Sequence, residues 1–410
     1  MLREMDEPPV AAHVAKAQLG GALIAVLIGL FGGVMMQLEL ASPGALWSAE
    51  LYGRSLNLHG LTPVAVGAAP FAGVLGYLAI TRLVGARRVP APALAWVAFG
   101  IWVIGMVFTI ISALVLSVDT GWTLYTPYSL QSEPVFPRIF KIVFPLAIGG
   151  SAVIYAVHLA LVVGKHAKAD PVRVALAAAI VVAIGGAGVV GASAAFTSPE
   201  GVWLSRLTTL VAMMFATVAL GGERRLQHTL VAVGFGIALI WAVFPNLLIG
   251  LAFAGVWIAL AIVGGFARPA VAFVVFGCAP AIVMRGIAAG ISSDLPLRDT
   301  YFEVGTTHLN AAAIGFAALA GLHAWPVLAR VPNTILVWIG GCVCSGGLLL
   351  HIYAQLGIGS RGMPRRYWDY DPQFQSGHVI SIAGTAVLAV GAIVLAVAWL
   401  VGRPRRPAND

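Results

Sequence analysis

The stretch A-L-A-W-V-A-F-G-I-W-V-I-G-M-V-F-T-I-I-S-A-L-V-L-S at residues 93–117 contains no charged side chain. An apolar run of about 20 residues is long enough to cross the hydrocarbon core of a bilayer as a helix. The rest of the chain has the same character, because 60% of its 410 residues are hydrophobic and only 10% are charged. The 48 glycines fit this class, since small residues let spanning helices approach closely. We therefore expect an all-α integral membrane protein, not a soluble or β-barrel fold.

Similar apolar stretches recur along the chain and predict a bundle of twelve transmembrane helices in one membrane domain at residues 19–401. The F-P-N stretch at residues 244–246 predicts a break between two spans, and a kink inside one long helix is the alternative. The sequence shows no convincing internal repeat and no second domain. The predicted spans are 19–40, 57–84, 93–117, 138–163, 172–196, 204–220, 228–244, 247–265, 270–291, 308–328, 334–356 and 378–400.

Charge placement predicts the orientation of these spans. With the N-terminus inside, most of the 24 lysines and arginines fall in inner loops, as the positive-inside rule requires. Both termini are then cytoplasmic: residues 1–18 form an N-terminal segment without the features of a cleavable signal peptide, and residues 402–410 form a C-terminal tail. The net charge of +8 is a topology signal and does not imply a nucleic-acid partner. We expect a multi-pass protein of the cell inner membrane, surrounded by the lipid bilayer.

Two histidines lie where a polar side chain is costly. His59 begins the second predicted span and His308 begins the tenth. Because a histidine in hydrocarbon usually marks a cofactor or a transport path, the pair is a candidate metal site. Both spans enter the membrane from outside in this topology, so the two imidazoles lie at similar depth. Similar depth is required if two imidazoles from different helices are to be the axial ligands of one low-spin heme.

Five stretches of the sequence resemble subunit I of the heme–copper oxidases, in the order and at the spacing of that family. The resemblance covers most of the chain and implies one low-spin heme ligated by His59 and His308. It also implies that Arg365 and Arg366 hold the heme propionates through charge-assisted hydrogen bonds. Trp122 would pack over the heme edge, or serve only as an interfacial anchor. The matching stretches are E-L-A-S-P-G at 39–44, L-H-G at 58–60 with V-G-A at 84–86, G-W-T-L-Y-T-P at 121–127, L-R-D-T-Y-F at 297–302, and G-M-P-R-R-Y at 362–367.

The sequence departs from the family at the positions that serve oxygen reduction. Thr306 replaces the histidine of the tenth span that binds the high-spin heme, and a threonine hydroxyl is a poor iron ligand. The chain has no His-His pair. In one alignment Pro245 stands where the sixth-span histidine of the copper site belongs, and if the sixth span is instead 204–220 it contains no histidine, so copper lacks its imidazole nitrogens in either case. Arg87 and Arg88 replace the acid of the proton-collecting inner loop. Gln37 replaces the arginine that bonds a formyl-bearing heme, which favours heme b.

Four other histidines within the spans leave alternatives open. His351 and His378 share the predicted depth of the heme pair and could ligate a second heme or a metal. Hydrogen bonding beneath a polar outer loop is the commoner role for such residues. His158 and His323 lie toward the inner ends of their spans and could form a second heme there.

The resemblance and the departures together predict a membrane cytochrome that transfers electrons within a respiratory complex without reducing oxygen. It would carry one low-spin heme and no copper. Its expected partners are the other membrane subunits of the complex and an electron donor, either cytochrome c or a cupredoxin. One alternative is an active terminal oxidase or nitric oxide reductase with relocated ligands. Another is a heme-free structural or transport subunit, so whether the chain is an enzyme stays open.

Overall fold

The computed structural model describes residues 10–68, 76–77, 79–81, 83–86, 90–114, 135–166, 170–193, 201–221, 225–266, 268–294, 297, 300–324, 330–365, 367 and 369–404. These residues are almost entirely helical, which confirms the predicted fold class. The helices are α1 Val10–Glu39, α2 Ala49–Ala68, α3 Pro92–Leu114, α4 Val135–Lys165, α5 Pro171–Ser193, α6 Gly201–Leu220, α7 Arg225–Val243, α8 Leu247–Gly264, α9 Pro269–Phe273, α10 Ala279–Asp294, α11 Tyr301–Ala324, α12 Thr334–Ser360 and α13 Gln375–Leu400. The smaller elements are a π-helical turn at Val274–Cys278, a 3-10 turn at Pro372–Phe374, and the antiparallel strands β1 Arg330–Val331 and β2 Arg403–Pro404.

Within the described residues, nine helices are long and apolar enough to cross a membrane. Large apolar side chains point away from the protein on several of them. Leu248, Val182 and Leu400, for example, are 77%, 73% and 72% exposed. In a bilayer the acyl chains cover such a surface, whereas its exposure to water would be energetically unfavourable. The chain is therefore an integral membrane protein, as predicted, while the exact number of twelve spans stays a prediction.

The turn at residues 244–246 separates two helices. The side-chain oxygen of Asn246 accepts a hydrogen bond from the Ile249 N–H at 3.0 Å and so caps the start of α8. Gly234 in α7 faces Val256 in α8, and these two residues are equally distant in sequence from the middle of the turn. Antiparallel helices in a hairpin bring such a pair together, whereas a kinked single helix would keep it apart. The predicted break is confirmed.

The described residues form two compact units. The N-terminal unit comprises those from Pro8–Val211 and Trp368–Tyr370, and the C-terminal unit comprises those from Ala212–Tyr367 and Asp371–Asp410. His59 belongs to the first unit and His308 to the second.

In the N-terminal unit, glycines allow neighbouring helices to approach closely. Gly32 in α1 lies against α2, where a Cβ at this position would come within 2.7 Å of the Ser55 carbonyl oxygen. Gly149 in α4 and Gly188 in α5 face each other in the same way, since a Cβ on Gly188 would lie 2.9 Å from the Gly149 carbonyl oxygen. These contacts leave no space for side chains between the backbones.

In the C-terminal unit, α12 and α13 pack backbone to backbone. A Cβ on Gly347 would lie 2.7 Å from the Gly384 carbonyl oxygen, and one on Gly340 would lie 3.1 Å from that of Gly391. The spacing of seven residues within each helix keeps both glycines on one face. Gly384 also lies close to His351, because a Cβ on Gly384 would be 2.5 Å from the main-chain nitrogen of His351. The glycines thus fix how the polar residues of α12 meet α13.

Candidate heme-binding residues

The helix that carries His59 extends further outward than the predicted span. The prediction starts this span at residue 57, but α2 begins at Ala49. The Ser48 hydroxyl precedes the helix and accepts a hydrogen bond from the Leu51 N–H at 3.2 Å, as an N-terminal cap does. His59 therefore lies in the third turn of α2 and not at its start.

The imidazole of His59 rests on the glycine-rich face of α1. Its Nδ1 lies 2.9 Å from the Gly29 carbonyl oxygen, which can only accept a hydrogen bond. A Cβ on Gly33 would lie 2.7 Å from the same Nδ1, so the ring occupies the space that glycine leaves open. The proton of the neutral ring is consequently on Nδ1 and the lone pair is on Nε2.

His308 also lies inside its helix and not at its start. The prediction starts this span at His308, but α11 begins at Tyr301, after the hydroxyl of Thr300, which accepts a hydrogen bond from the Phe302 N–H at 3.2 Å. His308 thus lies about two turns along α11. Its Nδ1 lies 2.6 Å from the side-chain oxygen of Gln355 in α12.

His351 lies one helical turn before Gln355 on α12 and packs against His308. The two imidazoles have centroids 5.2 Å apart and an interplanar angle of 66°, an edge-to-face arrangement. Nδ1 of His351 is 2.8 Å from the Ser381 hydroxyl and 3.1 Å from both the Ser381 carbonyl oxygen and the Thr385 hydroxyl. Side chains of α13 therefore hold the residue that packs against His308.

The residues just before Arg365 form main-chain hydrogen bonds with the beginning of α11. Thr300 and Pro364 form an isolated β-bridge, and the Tyr301 N–H donates to the Met363 carbonyl oxygen at 2.9 Å. Met363 is fully buried and Arg365 is 7% exposed. A guanidinium can form two parallel hydrogen bonds to a carboxylate, so an arginine at this position is chemically suited to a carboxylate-bearing ligand.

The remaining histidines of interest each contact a protein group. His378 Nε2 lies 3.0 Å from the Met363 sulfur, and His158 Nε2 lies 2.9 Å from the Pro90 carbonyl oxygen. His323 Nδ1 lies 2.7 Å from a carbonyl oxygen one turn earlier in α11. Across the described part of the chain, no three His, Cys, Asp or Glu side chains are grouped so that they could hold a metal ion. A second heme or metal at these histidines stays an untested alternative.

The side chain at the position of the missing high-spin ligand forms a hydrogen bond within its own helix. The Thr306 hydroxyl donates to the Glu303 carbonyl oxygen at 2.9 Å, and the residue is 8% exposed. Pro245, at the position of the missing copper ligand, belongs to the turn between α7 and α8. Gln37 lies in the last turn of α1. Four other residues of the prediction, namely Trp122, Arg366, Arg87 and Arg88, lie outside the described residues.

The role of the stretch at residues 39–44 is visible only in the structure. The buried carboxylate of Glu39 accepts hydrogen bonds from the N–H groups of Leu46 and Trp47, each at 3.1 Å, and thereby closes the loop after α1. The Tyr370 hydroxyl donates to the Leu40 carbonyl oxygen at 2.9 Å. Burial and then the adjacent carboxylate of Asp369 raise the pKa of Tyr370, which keeps this hydroxyl protonated.

Gln355 is another residue of the candidate site that the sequence alone does not reveal. It is 47 residues away from His308, so no local spacing connects the two. Its only signal in the sequence is that it follows His351 by four residues on an otherwise apolar helix. A buried glutamine beside a buried histidine on one helical face indicates a partner on a neighbouring helix.

Both candidate ligands fit an axial role at a heme iron. An axial imidazole binds iron through the lone pair of one nitrogen and normally donates its other N–H to an oxygen acceptor, which fixes the ring and its tautomer. His59 has such an acceptor in the Gly29 carbonyl, and His308 has one in the Gln355 side chain. In each ring the lone pair is therefore on Nε2, as ligation requires.

The sequence model of the family described as "Cytochrome C and Quinol oxidase polypeptide I" matches residues 13–221, about half of the chain. The chain belongs to this family. The prediction from the resemblance is confirmed at this level, and with it the membership of a group of heme-containing membrane subunits of respiratory oxidase complexes.

Individual relatives extend the similarity beyond the matched half. Cytochrome c oxidase subunit 1 of Bacillus subtilis (strain 168) is 24% identical over 90% of this chain and 71% of its own length. The corresponding subunit of Synechocystis sp. (strain ATCC 27184 / PCC 6803 / Kazusa) is 22% identical over 92% of this chain and 81% of its own length. Cytochrome c oxidase polypeptide 1 of Halobacterium salinarum (strain ATCC 700922 / JCM 11081 / NRC-1) is 34% identical, but over only 30% of this chain and 22% of its own length.

Proposed function

We propose that this member of the family is a membrane cytochrome with one low-spin heme, which transfers electrons within a respiratory complex and does not reduce oxygen. His59 and His308 would hold the heme iron through their imidazoles. The heme supplies a one-electron Fe(III)/Fe(II) couple, and the protein supplies two oriented imidazoles. The observation that carries the proposal is the hydrogen bond at Nδ1 of each histidine, because it puts both lone pairs on Nε2.

The absence of oxygen chemistry is supported by the residues at the positions of the second heme and the copper. A threonine hydroxyl is a poor iron ligand, and that of Thr306 donates a hydrogen bond to the main chain of its own helix. Pro245 has no side-chain atom that could bind a metal, and it lies in the turn just before Asn246, which caps α8. Copper in this family needs imidazole nitrogen, which Pro245 does not provide.

The proposal includes the surroundings of the heme. Arg365, buried and tied to the start of α11, binds a propionate, together with Arg366. Trp122 would pack over the heme edge. We propose heme b, since Gln37 cannot replace an arginine as a partner of a formyl group. The protein lies in the cell inner membrane as a single membrane domain with both termini in the cytoplasm, and receives electrons from cytochrome c or a cupredoxin.

An optical spectrum of the purified protein, with and without carbon monoxide, tests the proposal. Two imidazoles leave no open position on the iron, so the reduced spectrum should show a six-coordinate low-spin heme that carbon monoxide does not change. A pyridine hemochrome spectrum should identify heme b, and metal analysis should find iron without copper. A preparation with no Soret band would instead support the heme-free structural or transport subunit.

A second candidate function is an active terminal oxidase with relocated ligands. It is favoured by the relatives named cytochrome c oxidase subunit 1, to which the chain is similar over 90% and 92% of its length. An active oxidase needs an open iron position for oxygen, so part of its heme should bind carbon monoxide. The same spectrum therefore separates the two candidates.

A further inference from the structure

One face of α12 determines the surroundings of His308. Gln355 and His351 are four residues apart, so both lie on the same side of the helix. The first contacts Nδ1 of His308 through its amide oxygen at 2.6 Å, and the second packs against the ring with centroids 5.2 Å apart. Gln355 is 5% exposed and His351 is 8% exposed, so both are buried.

We propose that Gln355 is a positioning residue that lowers the reduction potential of the heme bound by His308. The inference rests on the proposed function, because it takes His308 as an axial ligand. An acceptor at Nδ1–H draws the proton toward itself and makes Nε2 a stronger donor to iron. A stronger donor stabilises Fe(III) relative to Fe(II), and the potential falls.

The amide oxygen can act in this way because the packing of α12 against α13 fixes its position. Gly347 and Gly384 bring the backbones of α12 and α13 into contact, which leaves α12 little freedom to shift. His351 is held on the same face by the Ser381 and Thr385 side chains of α13. The short contact between Gln355 and His308 is thus part of a packed layer of α11, α12 and α13 and not the chance contact of a mobile side chain.

Redox titration of the full-length, heme-containing protein tests this role. Gln355→Met keeps the shape of the side chain and removes the acceptor, so we expect at least a tenfold shift of the Fe(III)/Fe(II) equilibrium toward Fe(II). For a one-electron couple this corresponds to a potential about 59 mV higher. Gln355→Glu keeps an acceptor oxygen in either protonation state, and its potential should stay at or below that of the wild type.

The matched control is Ser345→Ala on the same helix. Ser345 is 3% exposed and its hydroxyl donates to the Gly341 carbonyl oxygen at 2.8 Å, so the variant loses a buried hydrogen bond of α12 that does not involve His308. Its potential should equal that of the wild type. Electron paramagnetic resonance of each oxidised sample reports whether the low-spin, two-imidazole state persists, which separates a tuned heme from a lost one.

The possible outcomes are distinct. Equal shifts in Q355M and Q355E, or no shift in either while the heme stays low-spin, would overturn the inference and leave the proposed function intact. If Q355M is isolated without heme, Gln355→Asn replaces it: this variant withdraws the oxygen by one methylene and should raise the potential above that of Q355E. Equal potentials for Q355N and Q355E would then overturn the inference. A wild-type protein without low-spin heme overturns the proposed function itself.

Discussion

The two candidate ligands are held by different kinds of acceptor. In the N-terminal unit, Nδ1 of His59 faces the main-chain carbonyl of Gly29, whereas in the C-terminal unit Nδ1 of His308 faces the side chain of Gln355. A main-chain acceptor is present whatever residue occupies the position, provided that the helices stay close. A side-chain acceptor can be changed by one substitution. The first unit thus orients its candidate ligand through helix packing, and the second also through side-chain chemistry.

The largest effect is expected when either imidazole is removed. His59→Ala and His308→Ala should each abolish the low-spin heme signal, because one remaining imidazole cannot complete the six-coordinate state. The controls are His158→Ala in the N-terminal unit and His323→Ala, which lies on the same helix as His308 but about 22 Å along it. Both controls should retain the signal in reduced-minus-oxidised spectra. A low-spin heme that persists in H59A or in H308A is incompatible with the ligand assignment.

The next effect tests whether packing alone secures His59. Gly33→Ala places a methyl group 2.7 Å from Nδ1 of His59, so the ring must move away from the Gly29 carbonyl. Loss of such an outer contact typically lowers metal affinity about tenfold or more. We expect a corresponding fall in heme per protein, measured by pyridine hemochrome.

Gly20→Ala is the matched control for this substitution. Gly20 lies on the same helix, and a Cβ there meets no atom within 4 Å. Heme content should therefore be unchanged in G20A. Equal heme content in G33A and G20A would show that the close contact between α1 and His59 does not matter for ligation.

The membrane class and several helix boundaries follow from the sequence because apolar length and caps are local properties. The break at residues 244–246 is of this kind, since Asn246 caps α8 within the same short segment. The outward extension of α2 was missed although Ser48 gives a local signal for it. In contrast, the contact of His308 with Gln355 could not be predicted, because it depends on how α11 and α12 pack and not on any spacing within one helix.

A smaller effect is expected from the packing behind His308. Gly384→Ala puts a methyl group 2.5 Å from the His351 main-chain nitrogen, and backbone atoms cannot move aside as a flexible side chain can. Overpacking of this type costs about 1–3 kcal/mol, so the thermal unfolding temperature in detergent should fall while heme ligation is retained. Gly346→Ala, in α12 with no atom within 4 Å of its Cβ, should unfold at or above the wild-type temperature. If G384A and G346A unfold at the same temperature, the glycine contact between α12 and α13 does not support the site.

The smallest effect is expected at Thr306, only two residues from His308. Thr306→Val keeps the shape of the side chain and removes the hydroxyl that donates to the Glu303 carbonyl oxygen. The hydrogen bond of this hydroxyl should contribute about 1 kcal/mol or less to stability. The spectrum, the carbon monoxide response and the potential of T306V should match those of the wild type. Residues two apart on an α-helix point in directions roughly 200° apart, so the hydroxyl is directed away from the imidazole of His308, the proposed iron ligand. A changed low-spin spectrum or a changed potential in T306V would mean that Thr306 takes part in the chemistry, which would contradict the different roles assigned to these two positions of α11.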